Sequence, residues 1–350
     1  MSERRFKIYK LKFHGPLHLS KGKEDYDESA DILHSDTLKS AIFVSALQLF
    51  GKEVLGDNEG KSFFESFKVS SAFPFCAGEF FFPKPYARIQ DIAGVNPENE
   101  SKQSKTLKKI AFIGKSYFED LLNGAQRQIN ENHILNGGEY LSDNSSLITI
   151  NKSGKKELLP IVVSEVNQRV TIPREYGIDS TPFYMERIFF GEQSGLFFII
   201  DINDNSELEN KIDASMKLLG ENGIGTDKSV GNGNFVFFKE EITIKVPDNT
   251  NHQFNLSLFC PEKQELSESM LETSSYQLLK RGGFIANPSN IHNSTLRKRS
   301  VHMFGEGSIF STPQKLEGKV VNLKPKTDQI KHPVWRDGRA IFLPILPKPE

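Results

Sequence analysis

A glycine-rich segment between a helix-like stretch and a strand-like stretch is the feature that most constrains the fold of this chain. Four glycines, with Lys228 and Ser229, fall within the eleven residues from Gly223 to Gly233. Glycine loses more backbone entropy on folding than any other residue, so four in one turn indicate that the backbone approaches another group closely. The neighbouring lysine and hydroxyls make a phosphate chain a good candidate for that group.

The glycine-rich segment does not match the common nucleotide-binding patterns. The Gly-Lys-Ser triplets at 60–62 and 114–116, elsewhere in the chain, lack the upstream glycine of a Walker A loop. The dinucleotide pattern G-x-G-x-x-G requires a glycine three residues after Gly225, where this chain has Lys228. Two interpretations therefore stay open, a phosphate-binding loop and a flexible connection between a helix and a strand.

Composition places the chain among globular proteins of the cytoplasm. The 350 residues are 37% hydrophobic and 25% charged, which is enough for two modest domains. The net charge of −1 means that any surface for nucleic acid must be a local basic patch. Cys76 and Cys260 fit free thiols of a reducing compartment. Neither a membrane-spanning apolar run nor a signal peptide is recognisable, so we expect a cytoplasmic protein with no membrane partner.

Apolar periodicity predicts alternating strands and helices in the first half of the chain. The predicted elements are strand 5–18, a helix beginning near Ser35, hairpin arms 73–75 and 79–83, strand 166–172, strand 195–201, helix 206–219 and strand 234–246. The first helix is expected to bury the stripe Leu38, Ile42, Ser45 and Leu49. Residues from about 91 to 160 are rich in Asn, Lys, Ser and Gly, which favours an insertion with a short helix near 117–122.

The turn-forming residues 247–251 are the best candidate for a linker. Beyond them, the predicted elements are strand 254–259, helix 266–279 and strands 300–310, 319–323 and 340–344. Strand, helix and strands thus recur in both halves. We predict an α+β fold of two ferredoxin-like (RRM-like) units with antiparallel sheets. They would cover 1–246, with the insertion at about 91–160 and the glycine-rich loop at 220–233, and 252–350.

Several motifs, taken in chain order, resemble one family. A helix, the pattern G-x-G-x-x-K-S-x-G-x-G and a strand resemble the glycine-rich loop of the RAMP proteins of CRISPR systems. Further matching motifs are Leu33–Ile42, Phe73–Phe75, Phe82–Pro85, Arg187–Phe190 and His332–Gly338. In this combination the chain resembles the fourth subunit of the type III-A (Csm) effector complex.

The resemblance implies a non-catalytic subunit that grips the 5′ tag of CRISPR RNA (crRNA). It further implies two protein partners, the large cyclase/nuclease subunit and a backbone RAMP subunit, with target RNA met only indirectly. The chain departs from the family at Thr226-Asp227, where many RAMP loops carry glycine or a basic residue. Asp227 places a carboxylate near the expected phosphates.

The predicted RNA-binding residues are basic, polar or glycine residues at the ends of predicted elements. They are His18, Lys21, His34, Ser35, Lys39, Asn167, Arg169, Arg174, Gly223, Gly225, Thr226, Lys228, Ser229, Gly231, Gly233 and Arg281. A helix start offers N–H groups to a phosphate, and Arg with Asn suits phosphates and base edges. Simpler interpretations remain open, namely that Ser35 or Asp36 only caps the helix and that the basic residues only face solvent.

Two other functions stay open at the level of sequence. One is a RAMP endoribonuclease that processes precursor crRNA, with His34 or His18 as its base. The other is a structural adaptor that contacts only protein. The chain carries no metalloprotease, serine-hydrolase or cysteine-metal motif, and RNA binding needs neither a cofactor nor a metal, so we expect none.

Overall fold

The structure is a computed structural model that describes residues 1–20, 26–30, 32–86, 93–94, 107–125, 127–151, 153–172, 179–285, 296–327 and 330–346. The helices are α1 Ser35–Phe50, α2 Lys52–Leu55, α3 Lys61–Glu65, α4 Lys115–Leu122, α5 Ser206–Asn222 and α6 Glu268–Glu272. Strands of the first two hundred residues are β1 Ser2–Phe13, β2 Lys68–Val69, β3 Phe73–Cys76, β4 Glu79–Pro83, β5 Ala93–Gly94, β6 Phe112–Gly114, β7 Arg127–Gln128, β8 Ile134–Leu135, β9 Tyr140–Leu141, β10 Ile148–Ile150, β11 Lys156–Leu158, β12 Val162–Thr171, β13 Thr181–Phe190 and β14 Ser194–Asp201. The later strands are β15 Phe235–Val246, β16 His252–Asn255, β17 Leu278–Arg281, β18 Val301–Phe304, β19 Ile309–Ser311, β20 Val320–Asn322, β21 Trp335–Asp337 and β22 Phe342–Pro344.

One large sheet organises the N-terminal part of the molecule. Within the described residues its strand order is β15-β1-β14-β3-β4-β6-β9-β8, with β2 paired to β14. Strands β1, β3, β14 and β15 with helices α1 and α5 follow the chain order β-α-β-β-α-β. Strand β1 pairs with β15 over its whole length and with β14 along its centre, so β1 is a central strand.

The two faces of the sheet are buried by different parts of the chain. Tyr9 and Leu11 of β1 point to the face covered by α1 and α5. Ile8 points to the other face, where it joins a core that also contains Phe254 and Leu343 from the C-terminal part. The period-two alternation of β1 thus serves two cores, and the C-terminal part completes the second one.

Most predicted elements of the first half are confirmed in position. The first helix, the hairpin that turns at 77–78, the central strand β14 and the helix and strand around the glycine-rich loop are all present. One buried position is wrong, because Leu49 lies near the end of α1 and is 46% exposed. The helix also starts without a side-chain cap, since His34 holds the capping position and makes no capping hydrogen bond.

The polar stretch predicted as an insertion contributes to the main core. Its described residues form α4 and extend the sheet through β6, β9 and β8. Phe118 of α4 is fully buried and stacks on Phe82 of β4, with ring centroids 4.3 Å apart. Few apolar residues mark this stretch, and most of the described ones pack in this core while Ile148 and Ile150 are exposed, which explains why weak periodicity hid its role.

The C-terminal part differs from a simple repeat of the first. Instead of a helix over 266–279, α6 covers only Glu268–Glu272, and β17 follows at Leu278. Pairing with β18 overrides the helical pattern from Leu278 onward. Within the described residues, β16 pairs with β19 and β22, while β17–β18 and β20–β21 are separate pairs. The fold is thus mixed α and β, with mostly antiparallel pairing.

Candidate nucleic-acid interface

The glycine-rich loop packs closely against the segment that follows β1. A Cβ at Gly225, whose φ is +92°, would lie 2.4 Å from the carbonyl oxygen of His18. A Cβ at Gly233, whose φ is +72°, would lie 1.8 Å from the carbonyl oxygen of Ile224. Only glycine fits both positions. The close approach predicted from the glycines is therefore made to the protein's own backbone.

Hydrogen bonds hold the base of this loop and leave its tip outside. The N–H of Thr226 donates to the His18 carbonyl at 3.0 Å, and the N–H of Gly233 donates to the Pro16 carbonyl at 2.8 Å. Between them a 3-10 turn at Lys228–Val230 is exposed, as is Gly231. Within the described residues, the side chains of Lys228 and Ser229 have no hydrogen-bond or ion-pair partner. The tip thus presents an ammonium and a hydroxyl to solvent.

The β12–β13 hairpin is tied to the same loop by a salt bridge. Arg169 of β12 donates through Nη1 to the Asp227 carboxylate. Asp227 adopts the left-handed conformation, with φ 59°, at the start of the 3-10 turn. The Arg169 guanidinium thus offsets the charge of the Asp227 carboxylate, which the sequence suggested would lie near bound phosphates. The salt bridge also joins β12 to the glycine-rich loop. Asn167, two residues before Arg169 on the same face, is half-buried.

The opposite face of this hairpin exposes apolar side chains among polar ones. Val166, Val170 and Tyr184 are all exposed, although the first two are spaced like residues of a buried strand face. Gln168 and Glu186 lie on the same face. Exposed apolar side chains grouped on one surface are typical of a contact surface. The hairpin therefore offers Arg169 toward the loop and a mixed, partly apolar face away from it.

His18 is a buried structural residue rather than a surface one. Its side chain is 0% exposed, and its Nδ1 donates to the Glu186 carbonyl at 2.8 Å. Its Nε2 is buried and has no hydrogen-bond partner in the described part of the chain. The ring lies 6.1 Å from that of Tyr26, which in turn lies 5.6 Å from Phe183 of the hairpin. Tyr26 and Phe183 belong to no recognisable sequence motif, because only the folded hairpin places them beside Arg169.

The start of α1 faces the C-terminal part of the chain. His34 makes a 2.8 Å contact through Nδ1 with the Glu306 carboxylate, which Ser71 also contacts. Burial alone would raise the pKa of Glu306, but His34 and Ser71 outweigh it and hold the pKa below its ordinary value. The Ser35 hydroxyl accepts the N–H of Leu258 at 2.9 Å, so Ser35 is a link between the two parts of the chain.

Asp36 is fully buried between two guanidinium groups. Arg281 donates to it through Nε and Nη2, both at 3.0 Å, and Arg336 contributes a 2.9 Å contact. Burial would raise the pKa of Asp36, but the charges of Arg336 and Arg281 hold it well below its usual range. Arg281, predicted to bind RNA, thus has most of its donors committed to Asp36 and Thr37.

Lys39 does not fit its predicted role in RNA binding. Its side chain is fully buried, and its ammonium donates to Asp337 at 2.5 Å and to the carbonyl oxygens of Phe64 and Phe67. Burial lowers the pKa of Lys39 to about 8. Lys39 lies next to Leu38 on the side of α1 that the C-terminal part covers. The apolar periodicity of α1 alone does not show that this side is buried, so the prediction of RNA binding by Lys39 is wrong.

Of the sequence-predicted site, the structure brings together the glycine-rich loop, Arg169 and the backbone of His18. It places His34, Ser35, Lys39 and Arg281 at the contact between the two parts of the chain. Lys21 and Arg174 lie outside the described residues. No group of three or more His, Cys, Asp or Glu suited to a metal ion occurs among the described residues. In the same part of the chain, every helix falls short of the length or apolarity that crossing a membrane demands.

Comparisons with known proteins agree with this architecture. Among curated proteins, one from Methanocaldococcus jannaschii, described as CRISPR system Cms protein Csm4, is 24% identical over 392 residues, covering 97% of both chains. A Streptococcus thermophilus protein of the same description is 25% identical over 351 residues, covering 97% of this chain and 99% of its own.

Two solved structures show the same fold. A chain from the Csm3-Csm4 subcomplex of the type III-A CRISPR-Cas interference complex superposes with a TM-score of 0.63 at 22% identity, covering 98% of this chain and 100% of its own. A chain from a Csm1-Csm4 cassette in complex with cA4 gives a TM-score of 0.62 at 21% identity, covering 99% and 100%.

Two family models cover almost the whole chain. The model of the CRISPR Csm4 C-terminal domain matches residues 248–345. That of the RAMP superfamily matches residues 10–236, which is more than half of the sequence. The chain therefore belongs to the RAMP superfamily and, with its C-terminal match and its curated relatives, to the Csm4 type.

Proposed function

We propose that this chain is the cytoplasmic subunit of a type III-A (Csm) complex that grips the 5′ tag of crRNA without catalysis. It bridges the large cyclase/nuclease subunit to a backbone RAMP subunit and meets target RNA only through them. Its relatives are Csm4 proteins, and similar chains occur in solved assemblies with Csm1 and with Csm3. Two ferredoxin-like RAMP units, 1–246 with an insertion and 252–350, would be the framework of this bridge.

The observation that carries the proposal is the exposed tip of the glycine-rich loop beside the hairpin. Lys228 and Ser229 protrude from a rigid base, and Arg169 lies against the same loop. Ammonium, hydroxyl and guanidinium groups on one edge suit a phosphate backbone. Thr226, Gly231 and Asn167 border this edge, while Gly223, Gly225 and Gly233 shape the loop that presents it.

The geometry around the histidines favours binding over cleavage. His18 is buried and bonded to a backbone carbonyl, and His34 is engaged by the buried Glu306. A general base must reach the proton that it abstracts, and the His18 ring is fully buried. Glu306 occupies only Nδ1 of His34 and leaves Nε2 as the nitrogen that a base would use, so the experiment below decides whether His34 acts as a base.

The test is binding of a labelled tag RNA by the full chain or its reconstituted complex. We expect Lys228→Ala to weaken affinity about tenfold and to lower the salt slope by about 1. Lys156→Ala, which removes an exposed lysine from the β10–β11 hairpin, is the matched control and should change neither quantity. Unchanged affinity in Lys228→Ala together with Arg169→Ala would favour the adaptor that contacts only protein. Metal-independent cutting of a repeat RNA, abolished by His34→Ala, would establish the endoribonuclease instead.

A further inference from the structure

A second group of cations lies on the C-terminal part, at a short hairpin formed by 281–285 and 296–299. The N–H of Ile285 donates to the Leu296 carbonyl, and the N–H of Lys298 donates to the Gly283 carbonyl, both at 2.9 Å. Phe284, between these contacts, is 49% exposed. The guanidinium of Arg297 lies 4.9 Å from the centre of its ring. The hairpin thus carries a half-exposed aromatic ring with a cation beside it.

Near this hairpin, two guanidinium groups contact one buried carboxylate, and a third cation lies close by. Arg281 and Arg336 both contact Asp36, and the ammonium of Lys298 lies within range of the same three charges. Within the described residues, that ammonium has no hydrogen-bond or ion-pair partner. Burial lowers the pKa of Lys298 to about 8, aided by repulsion from Arg336 and Arg281 and opposed by Asp36.

The charges of this cluster do not balance. Two carboxylates act on the three cations, namely Asp36 and Glu306, and Glu306 is also engaged by His34 and Ser71. Arg336 is 5% exposed, and among the residues that the structure describes its buried Nε has no hydrogen-bond partner. Buried charge without a counter-charge is costly, so the cluster has unused capacity for an anion. Lys298 and Arg281 are partly exposed and give that anion access from solvent.

We infer that Lys298, Arg281 and Arg336 form a phosphate subsite and that Phe284 stacks on an adjacent base, so that the C-terminal part makes its own contact with single-stranded RNA. This inference rests on the proposed function in its choice of ligand. The exposed ring of Phe284 favours RNA over an acidic peptide. A peptide carboxylate would bind the cations but make no stacking contact with the ring. Base stacking on aromatic side chains beside cations is how many proteins bind single strands.

The experiment measures affinity and salt slope for labelled single-stranded RNA of tag length and of twice that length, using the full chain. Lys298→Gln should weaken binding of the longer RNA about tenfold and lower its salt slope by about 1. Phe284→Leu should weaken it by about tenfold with the slope unchanged, and Phe284→Tyr should restore it. Lys298→Gln should also leave the thermal midpoint of the free protein unchanged or raised, because it removes an unpaired charge. A purely structural lysine would lower that midpoint.

The outcomes separate this inference from the proposed function. If Lys228→Ala weakens RNA binding while Lys298→Gln and Phe284→Leu do not, the second contact is wrong and the proposed function stands. If only the latter two weaken binding, the glycine-rich loop is not the grip and the C-terminal contact is upheld. If Lys298→Gln leaves RNA affinity intact but weakens retention of a partner subunit, the ligand is an acidic protein surface and the inference is overturned.

Discussion

The Arg169 guanidinium donates to the Asp227 carboxylate, and this salt bridge joins the β12–β13 hairpin to the tip of the glycine-rich loop. Both side chains are about one-third exposed or less, so the pair is only partly shielded from solvent and salt. An approaching phosphate would compete with Asp227 for the same guanidinium. The pair therefore sets how much positive charge this side of the loop presents to an approaching phosphate.

Asp227→Asn should strengthen binding of tag RNA. The change frees Arg169 and removes a negative charge beside the exposed Lys228, so we expect about fivefold tighter binding at low salt and a steeper salt dependence. Fluorescence anisotropy across a salt series measures both. Asp57→Asn, at an exposed acid near the end of α2, controls for net charge. Weaker binding in Asp227→Asn would mean that the salt bridge orients Arg169 instead of masking it.

Two glycines of the same loop should differ in what an added methyl group does. Gly233→Ala places Cβ 1.8 Å from the Ile224 carbonyl oxygen, so the loop base must open, at a cost of about 3 kcal/mol. At Gly231, with φ +85°, nothing lies within 4 Å, and only the left-handed conformation opposes alanine, by about 1 kcal/mol. Urea unfolding of the two variants checks the difference. Equal losses would show that close packing does not define the loop base.

Lys39 and Lys228 should separate stability from binding. Lys39→Met removes the buried partner of Asp337 and should lower the free energy of unfolding by about 3 kcal/mol, with RNA affinity unchanged. Lys228→Ala should weaken RNA binding and leave the free energy of unfolding unchanged, because that side chain is exposed and has no partner among the described residues. Chemical unfolding and RNA titration of both variants test this crossed pattern. A loss of RNA affinity in well-folded Lys39→Met would restore Lys39 to the binding site.

The pKa of Lys39 also predicts a dependence of stability on pH. Burial lowers the pKa to about 8 in the folded chain, against about 10.4 when unfolded. Between these values the unfolded chain binds the extra proton, so stability should rise with pH, by up to about 1.4 kcal/mol per pH unit. The free energy of unfolding of wild type and of Lys39→Met should be compared from pH 7.5 to 10. Lys298, whose pKa is also lowered to about 8, is present in both proteins, so the difference between the two curves reports Lys39 alone. Parallel curves would indicate an ordinary pKa for Lys39.

The sequence predicted the N-terminal elements well because their patterns are local. Strand β1 alternates, α1 begins after His34, and the glycine-rich loop separates a helix from a strand. The contacts that the sequence did not predict join residues far apart in the chain. By its sequence, Lys39 is expected to be a surface cation, but the fold places Asp337 against it. The nearness of Lys298 to Asp36 exists only in the folded molecule, so no local pattern predicts it.

The core shared by the two parts of the chain has a consequence for synthesis. Ile8 and Phe197 leave the ribosome long before Leu343, which belongs to the same core. The carboxylate for the Lys39 ammonium follows it by 298 residues. During translation, the nascent N-terminal sheet therefore carries one incompletely covered apolar face and one cation that still lacks its carboxylate partner. The growing chain depends on its own late-emerging strands, or on a chaperone, to avoid aggregating before it is complete.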